Sequence, residues 1–241
     1  MKEKASNRIH YYENPQGPVI GTCSDKVIQE DGLYFRDING DGKLNTYKDW
    51  RKAPQERAQA LAEELSAEEK IGLLFLNSWK MGMEQEDKDF VDETGLLDEK
   101  PVEKGSSIFA TASTVGTTET IKDWKVRTFI LRSNPKPDEL ADWINEMNSL
   151  AEEGEHFIPV MVVSNSRNEN GEVVFGMNDA SGVFAAWPGT MGIAAAVKGD
   201  GLHIIDDFAD CIRREWDAVG MKKGYMYMAD CATDPRWQRT Y

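Results

Sequence analysis

Residues 37–50 read DINGDGKLNTYKDW, and among the chain's side chains they are the ones best spaced to hold a cation. Asp37, Asn39 and Asp41 fall at positions one, three and five of a calcium loop. Gly42 supplies the sharp turn at six, Lys43 offers its carbonyl at seven, and Leu44 is the apolar residue at eight. Three oxygen-bearing side chains and a carbonyl suit calcium, a hard cation that takes oxygen ligands. Position twelve departs from the pattern. A bidentate glutamate belongs there and the residue is Lys48, with Asp49 next along as the substitute donor. The candidate ligands for a structural calcium are therefore Asp37, Asn39, Asp41, Lys43 and Asp49. An Asx-rich turn that binds nothing uses the same residues, because Asp and Asn side chains readily bond nearby backbone. The two readings stand level.

A second chemical group closes the chain, CATDPRWQRTY at residues 231–241. Arg236 and Arg239 present planar forks suited to hydroxyls and carboxylates, and an ion pair with Asp230 or Asp234 is an equal use of them. Trp187 and Trp237 have flat faces on which a sugar could stack, although packing is the commoner fate of a tryptophan. Asp179, Asp230 and Asp234 are the carboxylates best placed for acid or base work. Each also lies in a turn-like stretch, where aspartate usually organises backbone. Other chemistries find no support. His10, His156 and His203 have no ligand-spaced partner, and neither G-x-S-x-G nor a phosphate-cradling glycine motif occurs. Cys23, Cys211 and Cys231 lie far apart without a C-x-x-C spacing, as expected of reduced thiols in a cytoplasmic protein.

These groups need elements to position them. Residues 1–50 are rich in Gly, Pro, Asn and Asp and show little periodicity, which predicts an irregular arm. Pro54 suits the first turn of a helix over QERAQALAEEL, and Ser66 with Glu69 has capping-box spacing ahead of KIGLLF. Residues 78–122 read as loop. From residue 126 the pattern becomes that of a parallel sheet: VRTFILR is a strand and PKPDELADWINEMNSLAEEG a helix. Leu140, Trp143, Ile144, Met147, Leu150 and Ala151 share one face of that helix, and Gly154 is its stop. FIPVMVV at 157–163 is a continuous apolar run, as a strand covered on both faces requires. After a long connection, GLHIIDDFADCIRREWDAVG repeats the amphipathic helix with Ile205, Phe208, Ile212 and Trp216 inward, and YMYMA at 225–229 reads as a third strand. Such an order implies right-handed parallel units, with ligand-facing residues just past the strand ends. Those ends are Ser133-Asn134, Ser164 to Arg167, and Asp230 to Arg239.

Bulk properties narrow the partners. The formal net charge of −14 repels phosphate backbones and anionic lipid, so neither nucleic acid nor membrane is expected. No apolar run approaches the roughly 18 residues that span a bilayer. The opening MKEKASNRIHYY lacks an apolar core behind its basic residues, so no secretory signal is read and a cytoplasmic location follows.

Taken together, DINGDGKLNTYKDW leading into APQERAQALAEELSAEEKIGLLF, then FIPVMVVSNSRN, FGMNDASGVFAAWPGTMGIAAA and ATDPRWQRTY resemble glycoside hydrolase family 3, the β-glucosidases and related exo-acting enzymes, in that family's order. The resemblance implies an N-terminal (β/α)8-type barrel followed by an α/β sandwich domain. It also implies retaining cleavage of terminal β-linked glucose or a similar sugar, which needs two carboxyl groups roughly 5 to 5.5 Å apart. In the family both carboxyls come from positions later than residue 241. The expectation is thus an α/β fold, an incomplete (β/α)8 barrel of about three β/α units over 51–241 behind an irregular arm over 1–50. Such a chain carries no catalytic residue and needs the remainder of a glycosidase chain as its partner. A non-catalytic module that binds carbohydrate or calcium is the alternative. By the same resemblance Arg239 matches a sugar-contacting arginine, with Gln238 in place of the usual glycine. Asn165 stands where many members place a sugar-binding aspartate, and Arg236 accompanies them as a substrate-side residue. The implied substrate is a β-glucoside or oligosaccharide, with no cofactor beyond the calcium the loop would hold.

Overall fold

The computed structural model of the chain describes residues 2–79, 81–102, 115–131, 133, 135–164, 168, 183–224, 234 and 236. Two compact units divide it: residues 1–129 with 142–160, and residues 130–141 with 161–241. This division differs from the expected boundary after residue 50.

The first unit opens with a short helix α1 (Ala5–Arg8) and two hairpins where the sequence predicts irregular chain. Strands β1 (His10–Tyr12) and β2 (Ile20–Thr22) pair antiparallel, as do β3 (Val27–Glu30) and β4 (Leu33–Arg36). The second hairpin turns on Asp31 and Gly32, both at positive φ (52° and 75°), the two-residue geometry that matches the twist of paired strands. Helix α2 (Pro54–Glu64) starts on Pro54, as predicted. Helix α3 (Ala67–Leu74) starts on the predicted capping box: Ser66 accepts from the Glu69 amide at 3.2 Å, and Glu69 accepts from the Ser66 amide at 2.9 Å. Strand β5 (Leu76–Trp79) and helix α4 (Thr117–Lys122) both lie in or beside the stretch read as loop.

Strand β6 (Thr128–Leu131) and helix α5 (Pro137–Glu152) follow as expected, and all six residues assigned to the inner face of α5 are buried. Each large apolar side chain so buried contributes about 1.5–3 kcal/mol. Along the same helix, Asp142, Glu146, Ser149 and Glu152 recur at helical spacing and meet the arm. Glu146 accepts from the Ala5 amide at 2.7 Å and from Arg8 at 3.2 Å, and Lys4 bonds Asp142 at 2.8 Å. Glu152 accepts from the Cys23 amide at 2.8 Å, from Arg36 at 2.5 Å and from the Thr22 hydroxyl. The arm is therefore held to α5 by a row of acceptors rather than by apolar packing alone.

In the second unit, β7 (Met161–Ser164) pairs parallel with β8 (Lys223–Gly224), Val163 opposite Lys223 and Ser164 opposite Gly224. Helices α6 (Thr190–Asp200) and α7 (His203–Val219) supply the crossover that a parallel pair requires. Gly220, at φ 86°, ends α7 in the left-handed conformation that glycine adopts without strain. Phe208 and Trp216 face inward, whereas Ile205, in the first turn of α7, is 42% exposed although it lies on the same stripe. Within this unit the described parallel pair is β7-β8, and the YMYMA segment, predicted as the third strand, lies outside the described residues. The architecture is α/β.

Candidate functional site

The 37–49 loop is built around Asp37, whose carboxylate caps the turn. Its Oδ1 accepts from the Gly40 amide at 3.1 Å and its Oδ2 from the Gly42 amide at 2.8 Å. Gly40 and Gly42 stand at φ 72° and 71°, conformations open to glycine, so the loop can curl tightly enough to present those amides. Asn39 turns its Oδ1 to the Asp41 amide at 3.3 Å, and Asp41 Oδ1 accepts from the Lys43 amide at 2.9 Å. A 3-10 turn over Thr46–Lys48 then returns the chain.

That turn drives the Lys48 side chain into the loop, where it is fully buried. Its Nζ donates to Asp37 Oδ1 at 2.6 Å, to the Lys43 carbonyl at 3.0 Å and to Asp41 Oδ1. An ammonium has three donors, and all three are used. Burial works against the charge, but the bonds Lys48 donates to Asp37 and Asp41 outweigh it and hold Lys48 above the ordinary lysine value. The Lys48 bond, helped by the Lys43 amide, keeps Asp41 well below the usual carboxylate range. Asp49, the expected substitute ligand, faces elsewhere: Arg51 grips both its oxygens, at 2.8 and 2.9 Å. The structure thus brings Asp37, Asp41 and the Lys43 carbonyl together around one point, leaves Asn39 beside them and turns Asp49 away. The residue at that point is Lys48, the position-twelve departure from the calcium pattern. Its positive charge was the signal.

Of the sugar-side candidates, Asn165 and Arg239 lie outside the described residues, as do Asp179, Asp230 and Trp237. Arg236 is described and is 89% exposed in its side chain. Its fork meets Asp234 at 2.9 and 2.6 Å, so the ion pair raised as its alternative use is formed. Past β7, Asn168 is buried and donates to Glu215 at 2.6 Å and to the Ala185 carbonyl at 2.9 Å. Glu215 accepts in turn from the Ala185 amide at 2.9 Å. This clasp of the β7 exit onto α7 has no local sequence signature, since its partners are 47 residues apart.

An open hollow of about 370 Å³ in the first unit is lined by Tyr11, Cys23, Arg36 and Phe157 among others. Burial, seconded by the charge of Glu152, pushes the Cys23 thiol above its ordinary value, the opposite of what an activated nucleophile needs. Among the described residues no group of His, Cys, Asp and Glu is arranged to hold a metal.

No family model matches the chain. It is 32% identical over 225 residues to the periplasmic beta-glucosidase/beta-xylosidase of Dickeya chrysanthemi, covering 93% of this chain and 31% of that protein. It is 30% identical over 194 residues to probable beta-glucosidase C of Aspergillus oryzae, covering 80% of this chain and 27% of the relative. Beta-glucosidase C of Emericella nidulans is 27% identical over 196 residues. A solved glycoside hydrolase family 3 beta-N-acetylglucosaminidase from Paenibacillus superposes with a TM-score of 0.43 at 18% identity, over 67% of this chain and 24% of its own. The chain spans 31% of the length of the Dickeya relative and 27% of the Aspergillus oryzae one. By its sequence relatives, which share nearly its whole extent, the chain belongs to glycoside hydrolase family 3, among the β-glucosidase-like members.

Proposed function

We propose that the chain is the leading part of a retaining, exo-acting glycosidase that removes terminal β-linked glucose or a similar sugar from a β-glucoside or oligosaccharide. Its fold is then about the first three β/α units of a (β/α)8 barrel behind the N-terminal arm. The observation that carries this is the match over 93% of this chain to 31% of a β-glucosidase/β-xylosidase. Parallel β7 and β8, joined through two helices, are what such a barrel requires of this stretch.

In this reading Arg239 and Asn165 contact sugar hydroxyls, and Arg236, braced by Asp234, is a further substrate-side residue. The nucleophile and the general acid are contributed by later residues, so the 241 residues alone turn over nothing. No cofactor is required, because retaining hydrolysis runs on two carboxyl groups and water. In this reading neither nucleic acid nor a membrane surface is a partner, because the net charge of −14 repels phosphate backbones and anionic lipid. Cys23 and Cys211 are unpaired thiols, which favours a cytoplasmic placement, and fractionation of the source cells tests it.

An aryl β-glucoside assay decides the main point. The 241-residue chain is expected to release no product, whereas the same chain extended by the reading frame past codon 241 is expected to do so. Hydrolysis by the 241 residues themselves, lost on Arg239→Ala, overturns the proposal.

A further inference from the structure

The loop's sequence advertises calcium, and its residues do not fit calcium. The ion takes six to eight oxygens, with a bidentate carboxylate at position twelve supplying two of them. Here position twelve supplies a positive charge instead, and Asp49 is committed to Arg51. The oxygens that converge are those of Asp37, Asp41 and the Lys43 carbonyl, all within hydrogen-bond reach of one buried ammonium. Calcium–oxygen distances are about 2.3–2.6 Å. A calcium ion bound to the same oxygens would therefore lie within about 3 Å of Lys48 Nζ, or on it. Two cations cannot share that volume.

We propose that Lys48 is the resident cation of this loop: its ammonium occupies the place a calcium ion takes in loops of this pattern, so the loop folds without metal and the calcium site is latent. The idea goes beyond the glycosidase reading and does not depend on it. It explains why positions one, five, six, seven and eight keep calcium-loop chemistry while position twelve reverses its charge. The carboxylates must converge on a cation, and the chain carries its own. Removing the ammonium while restoring a carboxylate should reopen the site, because Asp37, Asn39, Asp41 and the Lys43 carbonyl remain.

The test is calorimetry on the full chain, stripped with EDTA and then titrated with calcium chloride to about 10 mM, above the dissociation constants of even weak extracellular loops. The unaltered protein is expected to give no binding heat and the same melting temperature with EDTA as with calcium. Lys48→Glu is expected to melt lower than the parent in EDTA and to recover several degrees when calcium is added. Calcium heat with a rise in melting temperature in the unaltered protein overturns the proposal, and that arm requires no variant to fold. Should Lys48→Glu not fold in EDTA, Lys48→Gln takes its place, keeping the loop's oxygens without the charge. A folded variant indifferent to calcium also overturns the latent site.

Discussion

The first unit and helix α7 of the second use the same ion-pair chemistry in opposite surroundings. In the first unit Lys48 meets Asp37 with both side chains buried, a buried Glu152 receives a half-buried Arg36, and Glu69 meets His156 Nδ1 at 3.0 Å with both partners buried. On and beside α7, Arg213 and Arg214 both pair with Asp210, and Lys222 pairs with Asp217, all of them well exposed. Counting charges makes the two regions alike. Water separates them, because an exposed pair gains little over its hydrated partners, whereas a buried pair that loses one member strands the other in low dielectric. The arm is therefore a place where polar residues fix the fold, and α7 one where they only keep a surface wet.

Lys48→Met is the substitution expected to break that contrast hardest. It leaves the carboxylates of Asp37 and Asp41 converging with no cation between them, and removal of one member of a buried pair costs about 3–5 kcal/mol. Hydrogen exchange should rise across residues 37–49 while α7 keeps its protection. Equal exchange in parent and variant would mean that the ammonium holds nothing in place. Glu152→Ala should come next, at about 2–4 kcal/mol. It strips acceptors from the Cys23 amide, the Thr22 hydroxyl and Arg36 together, and leaves the half-buried Arg36 guanidinium without its counter-charge. Its exchange signature should fall on β1, β2 and β4.

How much of this contrast could be read from the sequence depends on how local its causes are. Pro54, the Ser66–Glu69 box and the inner face of α5 are decided within a few residues, and all three are found as expected. Strand β5 was hidden because it follows α3 across Leu74-Phe75-Leu76, three exposed apolar residues with neither helical nor strand periodicity. Helix α6 was hidden by its small residues and two glycines: Ile193 is its one buried side chain, so no apolar stripe marks it. The β3–β4 hairpin was missed under the irregular-arm reading, although Asp31-Gly32 between two β-rich runs is a turn signal that could have found it. Glu146 and Glu152 were not legible as anchors, because their partners lie 110 or more residues away and any surface glutamate looks the same. In the candidate site, the cluster of Asp37, Asp41 and Lys43 was visible, and the role of Lys48 required reading a lysine as the ion rather than as a missing ligand.

Glu69 offers a smaller, pH-dependent test. Burial raises its pKa, but the bond from the Ser66 amide and the contact with His156 prevail, and the net position is below the ordinary glutamate value. A carboxyl depressed on folding contributes stability that is complete above its unfolded value, near pH 4.5, and is lost as pH falls through the folded value. Glu69→Gln keeps the shape of the cap while removing the charge. At pH 7 it should cost about 1–2 kcal/mol. The gap in melting temperature between parent and variant should then close as the pH drops below about 4.5. A gap of constant size down to pH 3 would show that the cap geometry, and not the charge beside His156, is what matters there.

The smallest effect is expected on α7. Asp210→Ala removes the common partner of Arg213 and Arg214 in one step, which on a count of ion pairs is a double loss. The arginines stay hydrated on an exposed face, so neither is left with an uncompensated buried charge, and the melting temperature should not move measurably in moderate salt. The comparison sharpens if the same assay, repeated at low and high salt, shifts Asp210→Ala slightly while leaving Lys48→Met unchanged. Screening reaches the charges on α7 and does not reach an ammonium enclosed by Asp37, Asp41 and the Lys43 carbonyl. A strong salt response at Lys48 would place that loop in the same class as α7, and the distinction between the two regions would fall with it.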